Sequence, residues 1–290
     1  MKPAPFDYLA VTSIDEAVRA LQASCDAKII AGGQSLVPMM NFRLVQPELL
    51  VDINRIAALS QITETTGGLT IGALVRHVES QKSQLTIRHF PVIAEAMHHV
   101  AHVAIRNRGT IGGSLVHADP AAEWPLLATL LDAELEIHGP DGERRAIPAE
   151  FFLGPLVTDL QEGELLTAAH LPYLPAGAGA AFDEFAQRAG DFAIVSVGAV
   201  VALRDGVIAE ARLALGGVGD TPLRAQAAET HLVGKPLSDG LLAQAATLAV
   251  EGLEPNTDLH ASSEYRLHLV PILARRVLAT AARRARGACE

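Results

Sequence analysis

The stretch Arg106-Asn107-Arg108-Gly109-Thr110-Ile111-Gly112-Gly113-Ser114 decides how this chain is read, and Ala31-Gly32-Gly33-Gln34-Ser35 is its counterpart. The first follows a segment of helical spacing. The second follows Lys28-Ile29-Ile30-Ala31, a short apolar run that reads as a strand entering a tight turn. Adjacent glycines admit φ > 0 and remove the side chains that hold a ligand away. Consecutive backbone N–H groups can then converge on an anion, and Ser or Thr hydroxyls add donors. Two such loops can clamp a diphosphate from both sides without a lysine, and a side chain at Gly33 or Gly112 is expected to block its approach. Each glycine pair also reads as an ordinary turn, the commonest use of the residue. The usual nucleotide signatures are missing. There is no G-x-x-x-x-G-K-[ST], and Gly216-Gly217-Val218-Gly219 runs into Asp220-Thr221-Pro222 without a third spaced glycine.

At 290 residues the chain has room for about two domains. It is 49% hydrophobic and 19% charged, a composition that supplies a core and argues against disorder. A net charge of −10 disfavours nucleic acid as a partner. The basic cluster Arg275, Arg276, Arg283, Arg284 and Arg286 reads as the end of a helix, where cations suit the dipole. Only two cysteines are present, Cys25 and Cys289, whereas a zinc site or an iron–sulfur cluster takes about four clustered ligands. No disulfide framework is implied, which suits a reducing compartment. The N-terminus carries no apolar core of a signal peptide. The longest apolar run, Ala193 to Leu203, is about half of a membrane span. A cytoplasmic location without transmembrane segments is expected.

Ser13-Ile14-Asp15-Glu16 has capping-box spacing and predicts a helix over 14–23. Strands are expected at 49–53, 69–72 and 133–137, the last turning at Gly139-Pro140-Asp141-Gly142-Glu143 into a partner. Helical spacing marks 91–105 and 123–131. The Pro- and Gly-containing segment 171–179 is the natural domain boundary. Beyond it, 193–203 and 207–215 flank Arg204-Asp205-Gly206 as a hairpin, and helices are expected at 223–231, 238–253 and 265–286. The second domain is thus strands followed by helices, an α+β arrangement.

Three segments together resemble a known family. The loop at 31–40, the run Ile105 to Pro125 and the segment Gln187 to Ser196 are similar to the FAD-binding medium subunit of the xanthine dehydrogenase and carbon monoxide dehydrogenase molybdenum hydroxylases. The resemblance implies an α+β fold. Its first part is a two-subdomain FAD domain of the p-cresol-methylhydroxylase type at 1–175, with subdomains of about 1–55 and 56–175. A small sheet and helix bundle of the carbon monoxide dehydrogenase flavoprotein type would follow at 176–290. It further implies that FAD is bound non-covalently, with Ala31, Gly32, Gly33, Gln34, Ser35 and Leu36 in one diphosphate loop and Thr110, Ile111, Gly112, Gly113 and Ser114 in the other. Asp119 and Glu123 would sit close to the cofactor, and the loop carrying Arg188, Asp191 and Ile194 would approach the isoalloxazine ring. Gln34 and Glu123 stand where the family often has His and Asp, which preserves polar chemistry but leaves the detailed flavin contacts open.

In such a family, electrons run from a molybdenum centre through two iron–sulfur clusters to FAD, then to an external acceptor. With two cysteines, this chain leaves the two-iron two-sulfur clusters to a small subunit and the molybdenum cofactor to a large one. A dimer of heterotrimers is implied. The chain would be an oxidoreductase component with no catalytic nucleophile or base of its own. Two other readings stand beside it, a stand-alone FAD-dependent oxidoreductase and a non-enzymatic interaction module. His98 and His102 have i, i+4 spacing, but no carboxylate completes a metal set, so they and His99 read as helix-surface residues and no metal is expected. His117 with Asp119 belongs to the loop beside FAD in the family reading, while Trp124 and Met39-Met40 read as packing residues.

Overall fold

The computed structural model describes residues 2–287; Cys289 lies outside them, and Cys25 is exposed with a free thiol. Strands β1 (Asp7–Ala10), β2 (Ala27–Ile30) and β3 (Leu49–Asp52) form a parallel sheet in the order β1-β3-β2. Parallel pairing needs crossovers, and helices α1 (Ile14–Ala23) and α2 (Leu36–Asn41) lie in them. Ser13 caps α1 by accepting from the Glu16 N–H at 3.2 Å, while the Glu16 carboxylate reaches back to the Thr12 N–H at 2.7 Å. Ala17, Val51, Ile53 and Leu74 close this small core.

The next sheet is antiparallel, ordered β4-β5-β10-β6-β7. It comprises β4 (Ile62–Thr65), β5 (Gly68–Gly72), β6 (Glu134–Gly139), β7 (Gly142–Ala146) and β10 (Leu165–Pro172), with the expected turn joining β6 to β7. A small hairpin of β8 (Phe152–Gly154) and β9 (Val157–Thr158) follows helix α9 (Pro148–Phe151). The connection from β5 to β6 carries α3 (His77–Lys82), α4 (Gln84–His89), α5 (Pro91–His99), α6 (Val103–Arg106), α7 (Ile111–His117) and α8 (Glu123–Leu130).

The single helix expected over 91–105 is therefore two. Val100 and Ala101 leave helical geometry, Ala101 with φ +37°. The Arg106 guanidinium collects both freed carbonyls, at 2.8 Å from Val100 O and 2.9 Å from Ala101 O. His98 and His102 consequently lie on either side of a break and not on one helical face.

Strands β11 (Ala178–Ala186), β12 (Ala193–Arg204), β13 (Val207–Gly216) and β14 (Leu223–Arg224) form an antiparallel sheet in that order. Ala180, Phe182, Val200 and Ala214 pack on the core that contains α5 and α8. The opposite face, with Ala181, Val197, Val201 and Leu213, packs on α10 (Gln226–Leu232), α11 (Asp239–Leu248) and α12 (Ser263–Gly287). Both faces of β12 are covered, which is why the longest apolar run of the sequence lies there. The helix expected at 223–231 starts later because Leu223 and Arg224 pair with β13; the one expected over 238–253 is shorter. Of the basic cluster, Arg284 holds α12 to Ala180 O at 2.5 Å and to Glu95 at 2.6 Å.

Candidate functional site

The loop between β2 and α2 leaves four amides without an intramolecular acceptor among the described residues, of which Gly32 is buried, Gly33 and Ser35 are half-buried and Gln34 is exposed. Gly33 has φ +73°, which reverses the chain without a Cβ penalty. Among the described residues, the N–H groups of Gly32, Gly33, Gln34 and Ser35 have no acceptor, while Val37 N and Met39 N begin the helix by bonding to Gly33 O and Ser35 O. Gln34 folds over its own loop, donating to Gly32 O at 3.0 Å. A Cβ on Gly32 would strike Arg108 O and lie 2.8 Å from Gly109 Cα. The two glycine loops, far apart in sequence, thus touch backbone to backbone.

The second loop is built differently from expectation. Thr110 is the N-cap of α7, its Oγ1 accepting from Gly113 N at 3.1 Å. Ile111 N bonds to Val75 O at 3.0 Å, Gly112 N to Ala73 O at 2.8 Å and Ser114 N to Thr110 O at 3.0 Å. No run of free amides remains there. A Cβ on Gly112 would sit 2.8 Å from Ala73 O, so this glycine serves packing on the segment after β5 and does not face a ligand space. Gly113 is exposed, and its Cβ would meet only Thr110 Oγ1. Ile111 is in the core and can offer only backbone, whereas Leu36 and Ser114 are half-buried.

Residues outside both loops hold them together. Asn54 Nδ2 donates to Ala31 O at 2.8 Å and to Asp52 Oδ1 at 2.6 Å. Arg76 then bridges, giving Nη2 to Asn54 Oδ1 at 2.6 Å and Nη1 to Arg108 O at 2.5 Å. Tyr8 OH supports Asp52 at 2.5 Å. Burial pushes the Asp52 carboxyl up, but hydrogen bonds from Tyr8 and Asn54 outweigh it and hold the group below its ordinary value. Burial, then the neighbouring Arg108, lowers Arg76. Next to it, His77 Nδ1 accepts from Trp124 Nε1 at 3.1 Å, and a Cβ on Gly109 would lie 2.7 Å from the His77 ring. Burial, then Arg106 and Arg76, drive His77 down to about 4, so it stays neutral with the proton on Nε2. Trp124 is a packing residue, as expected, and it also fixes this ring. Nothing in the sequence flagged Asn54, Arg76 or His77; the only signal was two basic residues directly after the buried run Ala73-Leu74-Val75.

The remaining candidates form a separate group. Asp119 accepts from Ala121 N at 2.9 Å in the turn that leads to α8. That turn is pinned by Gly217 N on Pro120 O at 2.9 Å. Glu123 opens α8 half-buried; loss of solvent around its carboxyl, then Glu184 and Asp119, push it up to about 8. Arg188 and Asp191 are exposed in the loop between β11 and β12, and Ile194 is turned into the core. A Cβ on Gly190 would lie 3.0 Å from the His102 ring and 3.1 Å from Ala101 O, so this loop leans on the break that precedes the second glycine loop. Among the described residues no group of three or more His, Cys, Asp or Glu is placed to hold a metal ion. The chemistry on offer is four neutral donors, the Arg76 guanidinium that bridges the two loops, and, in the separate group, the Glu123 carboxyl poised to be protonated.

Residues 4–174 match the model of the FAD binding domain in molybdopterin dehydrogenase, and residues 180–281 match that of the CO dehydrogenase flavoprotein C-terminal domain. The chain is 44% identical to the 6-hydroxypseudooxynicotine dehydrogenase complex subunit alpha of Paenarthrobacter nicotinovorans, covering 100% of this chain and 99% of the relative. It is 36% identical to the carbon monoxide dehydrogenase medium chain of Hydrogenophaga pseudoflava, over 96% and 97% of the two chains. The structure of quinoline 2-oxidoreductase from Pseudomonas putida 86 superposes with a TM-score of 0.94 at 40% identity, covering all of both chains.

Proposed function

The chain belongs to the FAD-binding medium subunits of the xanthine dehydrogenase and carbon monoxide dehydrogenase molybdenum hydroxylases, and on that footing we propose that it holds FAD non-covalently across its two glycine loops. It is an oxidoreductase component with an FAD-binding domain. The observation that carries the site is the row of four unbonded amides at 32–35, held against the second loop by Arg76. That arrangement suits a diphosphate. The amides are preorganised donors, and Arg76, bonded to Arg108 O next to Gly32, adds positive charge close to them.

When bound, FAD supplies a ring that takes electrons from iron–sulfur clusters of a partner and yields them to an external acceptor. This chain binds and orients. Amides of 32–35 fix the diphosphate from one side, and the exposed face of Gly113 with the Ser114 hydroxyl leaves room and a donor on the other. Ala31, Leu36, Thr110, Ile111 and Gly112 shape the two loops, the N–H groups of Ile111 and Gly112 being spent on Val75 O and Ala73 O. Glu123, with Asp119 before it, would hold a proton at a carboxyl close to the cofactor, and the Arg188–Ile194 loop would screen the isoalloxazine ring from water.

The chain divides at 175/176, with subdomains of about 1–55 and 56–175; the support is that each segment carries its own sheet. The clusters sit on a small subunit and the molybdenum cofactor on a large one, because two cysteines cannot ligate a cluster. The assembly is a dimer of heterotrimers in the cytoplasm, and among the described residues no helix is long and apolar enough to cross a membrane. Purification of the whole complex tests this reading. Expected are a yellow FAD-bearing chain with a cysteine-rich and a molybdenum-bearing partner, and no substrate oxidation by the lone chain. A chain that stays colourless after addition of FAD overturns it.

A further inference from the structure

A second polar cluster lies where α5 ends against β11. The Glu184 side chain is only 3% exposed, and its Oε1 is 3.4 Å from His99 Nδ1. Among the described residues its Oε2 is buried with no hydrogen-bond partner. The His99 ring rests edge-on against Phe182 at 5.5 Å. A cavity of about 240 Å³ opens beside them, lined by His98, His99, Glu184, Phe185, Arg188 and Gly190. A buried carboxylate oxygen without a donor is costly unless it takes up a proton or a ligand.

The surrounding charges do not neutralise it. From α5, Glu95 pairs with Arg284 of α12 at 2.6 Å; from β11, Asp183 pairs with Arg276 of α12 at 3.8 Å. Arg188 is exposed in its loop. From α8, Glu123 adds a second carboxyl, with Asp119 ahead of it. The imidazole of His99 is the one basic group within salt-bridge distance of Glu184 among the described residues.

We propose that Glu184 and His99, backed by Glu123, hold a proton beside the flavin ring and exchange it with solvent through the cavity. The inference rests on the proposed placement of the Arg188–Ile194 loop against that ring. Two-electron reduction of a flavin consumes two protons. Both electrons come from the partner's iron–sulfur clusters. One proton leaves the His99–Glu184 pair, whose N–H or O–H bond breaks as a flavin N–H bond forms, and the other comes from water. The pair is reloaded from solvent, and both protons are released when the external acceptor removes the electrons. Glu184 and His99 act as proton-positioning residues, and Glu123, neutral below about 8, adds repulsion only once it ionises. Consistent with this, the hydrogen bond to Glu184 raises His99 against the opposing effect of its burial.

Redox titrations of the FAD-loaded chain across pH 6–9 test the idea, with Glu184→Gln, His99→Gln and Glu123→Gln run in parallel. The wild type should show a bend in the flavin potential against pH near the Glu123 value of about 8, displaced or lost in each variant that retains FAD. In NMR titrations of the chain without FAD, Glu184→Gln should move the His99 titration to lower pH, since the raising effect of Glu184 is removed. Potential curves that coincide in wild type and variants, or a His99 titration indifferent to Glu184→Gln, overturn the proposal while leaving FAD binding intact. Failure of the wild type to bind FAD overturns both.

Discussion

A guanidinium with one nitrogen on Asn54 and the other on Arg108 makes Arg76 the residue that joins the two loops. Replacing it with Met removes two charge-assisted hydrogen bonds and a positive charge beside the proposed diphosphate site. FAD affinity should fall by roughly 30-fold or about 2 kcal/mol, with partial recovery in Arg76→Lys; flavin fluorescence quenching reads both. The titrating groups predict opposed limbs of stability against pH. His77 has its folded value lowered from 6.5 to about 4, so the unfolded chain binds the extra proton between those values. Stability is complete above 6.5 and declines as pH falls toward 4, by about 3 kcal/mol in full. Glu123 is raised from 4.5 to about 8, so the folded chain binds the extra proton and stability declines as pH rises through that window. In thermal melts of the chain without FAD, His77→Gln should flatten the acid limb and Glu123→Gln the alkaline one. Little of this was legible in sequence. Arg76 meets partners 22 and 32 residues away, and no local pattern marks a side chain whose role is to reach that far.

At the scale of elements, backbone contact governs what each glycine does. Gly179 on β11 lies so close to α12 that a Cβ would strike Ala281 O and sit 2.5 Å from Ala285 N. Gly179→Val therefore pries the longest helix off its sheet and should cost several kcal/mol, measured by urea denaturation. Gly33→Val and Gly112→Val should separate by mechanism. The first strains a φ of +73° beside the unbonded amides; the second drives a side chain into Ala73 and should lower the melting temperature of the FAD-free chain as well as FAD retention. Elements with local signals were read correctly from sequence: the Ser13 cap of α1, the turn at Pro140-Asp141 and the hairpin at Arg204-Asp205-Gly206. The break after α5 was not, because neither Gly nor Pro marks it. Arg106 stabilises it from beyond the break, and local propensity contains no trace of that contact.

For the whole molecule, the first two sheets place two short loops at one contact, and the family follows from runs of sequence that cover both loops. Loop chemistry alone allowed a diphosphate clamp or a pair of turns. Similarity across the full chain established the family, while the geometry leaves amides without acceptors in the first loop and engages those of the second. In the proposed site, diphosphate recognition anchors the cofactor. Isothermal titration of the FAD-free chain with FAD and with riboflavin tests it most directly, since riboflavin has the same ring and no phosphate. Binding of FAD at one per chain, with riboflavin about 100-fold weaker or worse, is the predicted result; equal affinity for the two, or no binding of FAD, contradicts it.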